Sequence, residues 1–336
     1  MPSIAETHDS RLPHRLAVAL VCATFPLVWV GGLVTTYEAG MAVPDWPTTY
    51  GYNLFLYPWQ TWIAGPWDLF IEHGHRLLAA SVGLLVIVEV ACLFAAERRR
   101  WLRWYGVALL AAVIAQGVLG GMRVRMDERL LAKIHACTGP AFFAMCVALA
   151  AFTSRGWLGA SPRVYARATR LHVLATFTAA VAFLQIVMGA RLRHPDLQLA
   201  PNEFADAVVW HLLIAGVLVL HVGLLSARIW REYRDQPRLV RPATALVALV
   251  GVQLALGIGT WVANYGWPVW FQGYAWAERH VVVHESLGQA LVTTAHVANG
   301  SLILAVSVLV ALRSLRWVCA AAPVAALTGV SLGVAA

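Results

Sequence analysis

The chain has 336 residues, 60% of them hydrophobic and 12% charged, with a mean hydropathy of +0.67. That balance excludes an ordinary soluble domain or a disordered chain and points to an all-α integral membrane protein. The net charge of +8 does not argue for nucleic acid as a partner, because the arginines fall in alternate short loops between apolar stretches.

A spanning helix needs about 20 mostly apolar residues to cross roughly 30 Å of hydrocarbon. Such stretches are predicted at 17–35, 73–95, 104–122, 131–152, 171–190, 207–227, 243–263 and 290–312, giving eight transmembrane helices. The first follows a polar leader, but its apolar core is too long for a signal peptide and no small-residue cleavage site follows, so it reads as helix one. Arginines cluster after the even-numbered helices: Arg98, Arg99, Arg100 and Arg103; Arg155, Arg163, Arg167 and Arg170; Arg228, Arg231, Arg234, Arg238 and Arg241; Arg313 and Arg316. This positive-inside pattern places the N-terminus in the cytoplasm of a multi-pass protein of the cell (plasma) membrane, with loops 36–70, 123–130, 191–206 and 264–289 outside. Arg123, Arg125 and Arg129 in the second outer loop run against the pattern. The charge-free run Trp317–Ala336 is long enough to span but has no anchor after it, and is left open as a ninth crossing. Cys22, Cys92, Cys137, Cys146 and Cys319 lie in or beside predicted helices, so no disulfide framework is proposed and small core packing is their reading.

The chain reads as a duplication. Leu131-Ala-Lys-Ile-His135-Ala-Cys-Thr-Gly139 in helix four aligns with Leu291-Val-Thr-Thr-Ala-His296-Val-Ala-Asn-Gly300 in helix eight, each with a glycine four residues after the histidine. His75-Arg-Leu-Leu-Ala79 in helix two resembles His211-Leu-Leu-Ile-Ala215 in helix six. The odd helices carry Gln116…Gly120, Gln185…Gly189 and Gln253…Gly257, with Gly31-Gly32 at the matching end of helix one. Two four-helix bundles of the same orientation follow, 17–155 and 168–316. The glycines have a ready explanation in close helix packing.

Depth strengthens the repeat. His135, His211 and His296 each precede an inner-surface arginine (Arg155, Arg231, Arg316) by 20 residues, and His75 precedes Arg98 by 23; at about 1.5 Å per residue each lies roughly 30 Å from that surface. One intramembrane histidine is commonly a hydrogen-bonding residue between helices, but four at one depth fit imidazole ligation of haem iron in bundle cores. His75 is paired with His135, and His211 with His296. An alternative pairs His221 with His296 in an inner site and His284 with His211; neither has a counterpart in the first half. His73, His194 and His280 read as solvated outer-surface side chains. Zinc would bring cysteine or carboxylate in a compact tetrahedron, whereas these pairs lie on separate helices in apolar surroundings.

The halves differ at one chemically important place. Glu72 stands three residues before His75 on the same helical face, where the second half has Val208 before His211. A carboxylate at one site only suggests that the first site reacts and the second carries electrons; the alternative is an interfacial pair of Glu72 with Arg76.

The Glu72-His73-Gly74-His75-Arg76 motif, the duplicated halves and the four histidines together resemble the haem A synthase family over about residues 17–315. Gly31-Gly32-Leu-Val-Thr-Thr, Gly40 and the Pro-Asp-Trp-Pro turn at 44–47 are similar to that family's first helix and first outer loop. The resemblance implies an oxidoreductase that oxidises the C8 methyl of haem O to a formyl group for terminal oxidases. It implies that His75 and His135 flank the substrate haem, with Arg76 beside it and Glu72 as catalytic carboxylate, and that His211 and His296 ligate a resident haem b. Haem O, the haem O synthase that supplies it, an electron donor and membrane lipid are the implied partners, and homo-oligomerisation is left open. Two features depart from the family: loop 36–70 lacks the cysteine pair of many bacterial members, and Leu212 replaces the arginine that follows the helix-six histidine. Propionate pairing in the second half then falls to Arg191, Arg193 or Arg279 on position alone, and in the first half to Arg76, Arg123 or Arg125. Rival readings are a di-haem membrane cytochrome b exchanging electrons with quinone, and a haem transporter or chaperone using the tryptophans at 46, 59, 62 and 67.

Overall fold

The computed structural model describes residues 11–195 and 200–320. Eight helices among them are long and apolar enough to cross a membrane: α1 Leu12–Thr36, α2 Trp67–Ala96, α3 Arg100–Met126, α4 Arg129–Thr153, α5 Ala168–Arg193, α6 Pro201–Glu232, α7 Pro237–Tyr265 and α8 Leu287–Trp317. Helices satisfy most of their backbone groups within their own segment, which is the arrangement hydrocarbon permits, and the chain is a multi-pass membrane protein.

The sequence signals at the helix ends are the ordinary ones. Proline occupies the first turn of α1, α6 and α7, where its missing N–H costs nothing. Gly266, at φ 76°, takes the left-handed turn that ends α7. The Ser286 hydroxyl accepts from the Gln289 N–H at the start of α8.

Each half closes into a ring. In the first, α1 packs on α2, α2 on α3, α3 on α4, and α4 returns to α1; in the second, α5 packs on α6, α6 on α7, α7 on α8, and α8 returns to α5. The rings meet through α1 against α8, α4 against α8 and α4 against α5. Accordingly α4 and α8 are the most enclosed helices, and α8 meets its neighbours with small residues, Ala290, Ala298, Ser301, Ala305, Ser307 and Ser314 all being buried.

Every helix is longer than its apolar stretch and runs into polar residues at its ends. The expected outer loop 123–130 is a turn of Asp127 and Glu128 alone: α3 runs to Met126, α4 starts at Arg129, and Asp127 takes φ 47°. The run left open as a ninth crossing does not begin a new helix at Trp317. That residue ends α8, and β2 (Val318–Ala320) pairs in parallel with β1 (Arg163–Tyr165) on the arginine-rich side; residues 321–336 lie outside the described residues. Tyr165 also donates to Asp235, which pairs with Arg163 at 2.6 Å, so this side is clasped by its loops. The opposite side, bearing the long loops 37–66 and 266–286, is called outer below.

Candidate functional site

Each of the four candidate histidines lies against a glycine of the preceding long helix or, for His296, of α7. A Cβ built on Gly31 would lie 2.9 Å from Cε1 of His75, and one on Gly120 3.3 Å from Cε1 of His135. In the second half, a Cβ on Gly189 would lie 3.4 Å from Cε1 of His211, and one on Gly257 3.1 Å from Cε1 of His296. Helix packing was the sequence-level reading of these glycines; the surface that packs on them is the imidazole itself. A side chain larger than hydrogen would push the ring out of place.

The structure brings His211 and His296 ring to ring. The rings of His211 and His296 have centroids 6.4 Å apart. Two imidazoles bound to one ion from opposite sides, with metal–nitrogen bonds of about 2 Å, would have centroids roughly 6 Å apart. The Nδ1 atoms of His75, His135 and His296 are shielded from solvent and have no hydrogen-bond partner, whereas Gln185 Nε2 lies 3.2 Å from both ring nitrogens of His211 and Gln253 Nε2 3.4 Å from His296 Nε2. Helix one carries Leu27 where the other odd helices carry these glutamines. Among the described residues no cluster of three or more His, Cys, Asp or Glu could hold an ion alone. Buried imidazoles, three of the four with an unpartnered Nδ1, and no third protein ligand would suit a metal that brings donors of its own, as in haem.

Glu72 and Arg76 share one polar knot. Glu72, 3% exposed, accepts from the Val43 N–H at 2.8 Å through Oε2 and from Arg76 Nη2 at 2.7 Å through Oε1. Arg76 Nη2 also donates to Val43 O at 2.7 Å, and Nη1 to Asp45 O at 2.6 Å and Thr48 O at 3.0 Å. The pair is therefore buried under the first outer loop rather than standing at a water interface. The four hydrogens on the Arg76 Nη atoms are matched by four acceptors within the chain. The same loop closes over α3: a Cβ on Gly121 would run into the Trp46 indole, and Arg123 Nη2 donates to Gly40 O at 2.7 Å.

Of the outer histidines, His280 is exposed as expected, but His73 and His194 are not solvated. His73 is 2% exposed, lies 3.1 Å through Nδ1 from Thr49 Oγ1, and packs on Tyr57 and Trp62. Burial, with Arg193 and Arg123 nearby, holds the His194 imidazole down at about 4. Thr49, Tyr57 and Trp62, the loop residues that cover His73, precede α2 and lie beyond the reach of any helical spacing, so no local pattern reveals them. His221 packs against Phe177 with the rings tilted at 47°, and His284 is exposed. Among the arginines weighed for propionates, Arg125, Arg191 and Arg279 are exposed, while Arg76, Arg123 and Arg193 turn inward.

The family model for COX15-CtaA, the cytochrome oxidase assembly protein, matches residues 66–274, more than half of the chain. The chain belongs to that family. The COX15-CtaA match runs from the start of α2 into the last outer loop, taking in Glu72, His75, His135 and His211 and stopping short of His296. Proteins named Heme A synthase are similar to it: one from Shouchella clausii at 27% identity, over 73% of this chain and 85% of that protein, and one from Mesorhizobium japonicum at 24%, over 77% and 85%. A third, from Allorhizobium ampelinum, is 24% identical over 69% of each chain.

Proposed function

We propose that this chain is a haem A synthase of the plasma membrane, built from two duplicated four-helix halves. In this reading it oxidises the C8 methyl of haem O to a formyl group. His75 and His135 hold the substrate haem in the first half, and His211 and His296 hold a resident haem b in the second. The observation that carries the reading is the recurrence of one device, a histidine seated on a glycine, four times, with His211 and His296 facing each other and a buried carboxylate three residues before His75 but not before His211.

Taking a methyl group to a formyl group is a four-electron oxidation. Iron in a porphyrin supplies the redox chemistry when bound. The chain's own part is to orient the ring, exclude water and manage protons. Glycine cradles fix the imidazole planes, and the loop pinned by Arg76 closes the outer end of the first site. Glu72 is the one carboxylate on the His75 face of α2 at that depth, and its oxygens retain lone pairs beyond the two bonds they accept. It is placed to take up protons released near the reacting carbon or to stabilise positive charge there.

One observation favours a second reading, a di-haem cytochrome b that exchanges electrons with quinone. The Glu72 bonds to Val43 and Arg76 would serve equally to hold the outer loop. The variant Glu72→Gln separates the two. Extracted from cells that supply haem O, the variant is expected to retain haem on both pairs while haem A disappears. Haem A at the wild-type level would remove the catalytic role of Glu72.

A further inference from the structure

Arg193, the last residue of α5, carries a guanidinium that the protein satisfies only in part. Its Nη2 donates to Gly32 O at 2.5 Å and to Thr36 Oγ1 at 2.6 Å, both on α1, so it joins the second half to the first. Its Nη1 is shielded from solvent and has no hydrogen-bond partner. Among the described residues no carboxylate forms an ion pair with it, and the neighbouring His194 is neutral near pH 7. A buried guanidinium without a counter-charge is costly at membrane depth, and a planar fork with one arm unspent is the geometry that takes a carboxylate.

The position says which carboxylate. Gly189, the seat of His211, lies four residues before Arg193 on the same face of α5, one turn deeper, or about 6 Å. The charge of Arg193 reaches His296, and Gly32, whose carbonyl it holds, packs on Thr294, two residues before His296. Arg193 thus stands at the outer rim of the second histidine pair. The first half places Arg76 immediately after His75, with both Nη atoms already committed; the second has Leu212, 63% exposed, at that position.

We infer that Arg193 is a carboxylate-binding residue for the second histidine pair, taking one propionate of the tetrapyrrole held between His211 and His296 and tying it to α1. The inference rests on the haem reading of that pair. It makes the α1–α5 contact part of the cofactor site rather than only an interface between halves.

The test is haem exchange into the purified full-length chain carrying His75→Leu, so that the second pair is the one observed, with haem b and its propionate dimethyl ester as probes. The free acid is expected to leave about tenfold more slowly than the ester, the effect of one charge-assisted hydrogen bond. Arg193→Gln should abolish the discrimination, Arg193→Lys should restore part of it, and Thr36→Val, which removes one α1 bond but no charge, should leave it intact. Equal off-rates for acid and ester in the chain with Arg193 would overturn the inference while leaving the haem reading in place. If His296→Leu leaves the bound haem unchanged in amount and spectrum, the haem reading of the pair fails, and the inference with it.

Discussion

A Cβ placed on Gly31 would lie 2.9 Å from Cε1 of His75, and one on Gly257 would lie 3.1 Å from Cε1 of His296. These glycines belong to α1 and α7, in different halves of the chain, yet each sets where one imidazole can stand. Gly31→Val is expected to displace His75 and empty the first site, and Gly257→Val to empty the second, each lowering haem content by one per chain and stability by about 1–3 kcal/mol. Gly117→Val, where an added Cβ meets nothing within 4 Å, is the control and should change neither. Haem-to-protein ratios from pyridine haemochrome spectra check this.

Arg76 binds three carbonyls of the first outer loop besides Glu72. Arg76→Lys keeps the charge but loses the fork that reaches several acceptors at once. The loop over residues 43–52 should then become cleavable by added protease in detergent, with substrate-site haem lost at the same time. A loop that stays resistant in Arg76→Lys would show that charge alone holds it.

Thr49 and His73 form a buried hydrogen bond under the same loop. Thr49→Val leaves His73 without its partner at a cost of about 1–3 kcal/mol. The expected result is a lower thermal midpoint and earlier proteolysis between residues 43 and 52, with the second-half haem retained.

The membrane orientation has its own check. With Cys319 replaced by Ser to remove an exposed thiol on the arginine-rich side, Asn53→Cys should react with an impermeant maleimide in intact cells. Ser161→Cys should react only after permeabilisation. The reverse pattern would overturn the positive-inside assignment.

The eight helices were legible because each has an apolar stretch long enough to span, and the approach of His211 to His296 was legible because depth and repeat agree. The helix ends were not. Glu72 and His73 read as the edge of the membrane, but α2 begins at Trp67 and the loop folds back over both. Val318–Ala320 read as the start of an apolar crossing and instead pairs with a segment more than 150 residues earlier. The glycines were visible as a pattern, yet their role depends on which ring faces them, and no one-dimensional spacing gives that. Arg193 stood beside Arg191 and Arg279 as one of three equivalent guesses. Its inward turn toward α1 is a property of how α5 meets α1.

The account stands or falls on the identity of the bound tetrapyrroles. The decisive measurement is the mass and pyridine-haemochrome spectrum of the haem extracted from the purified chain after co-expression with a haem O source. Haem A, or a hydroxylated haem O, beside haem b is the result expected of a synthase with a reactive first site and a resident second one. Haem b alone, at two per chain, would contradict that and identify the protein as an electron-transfer cytochrome.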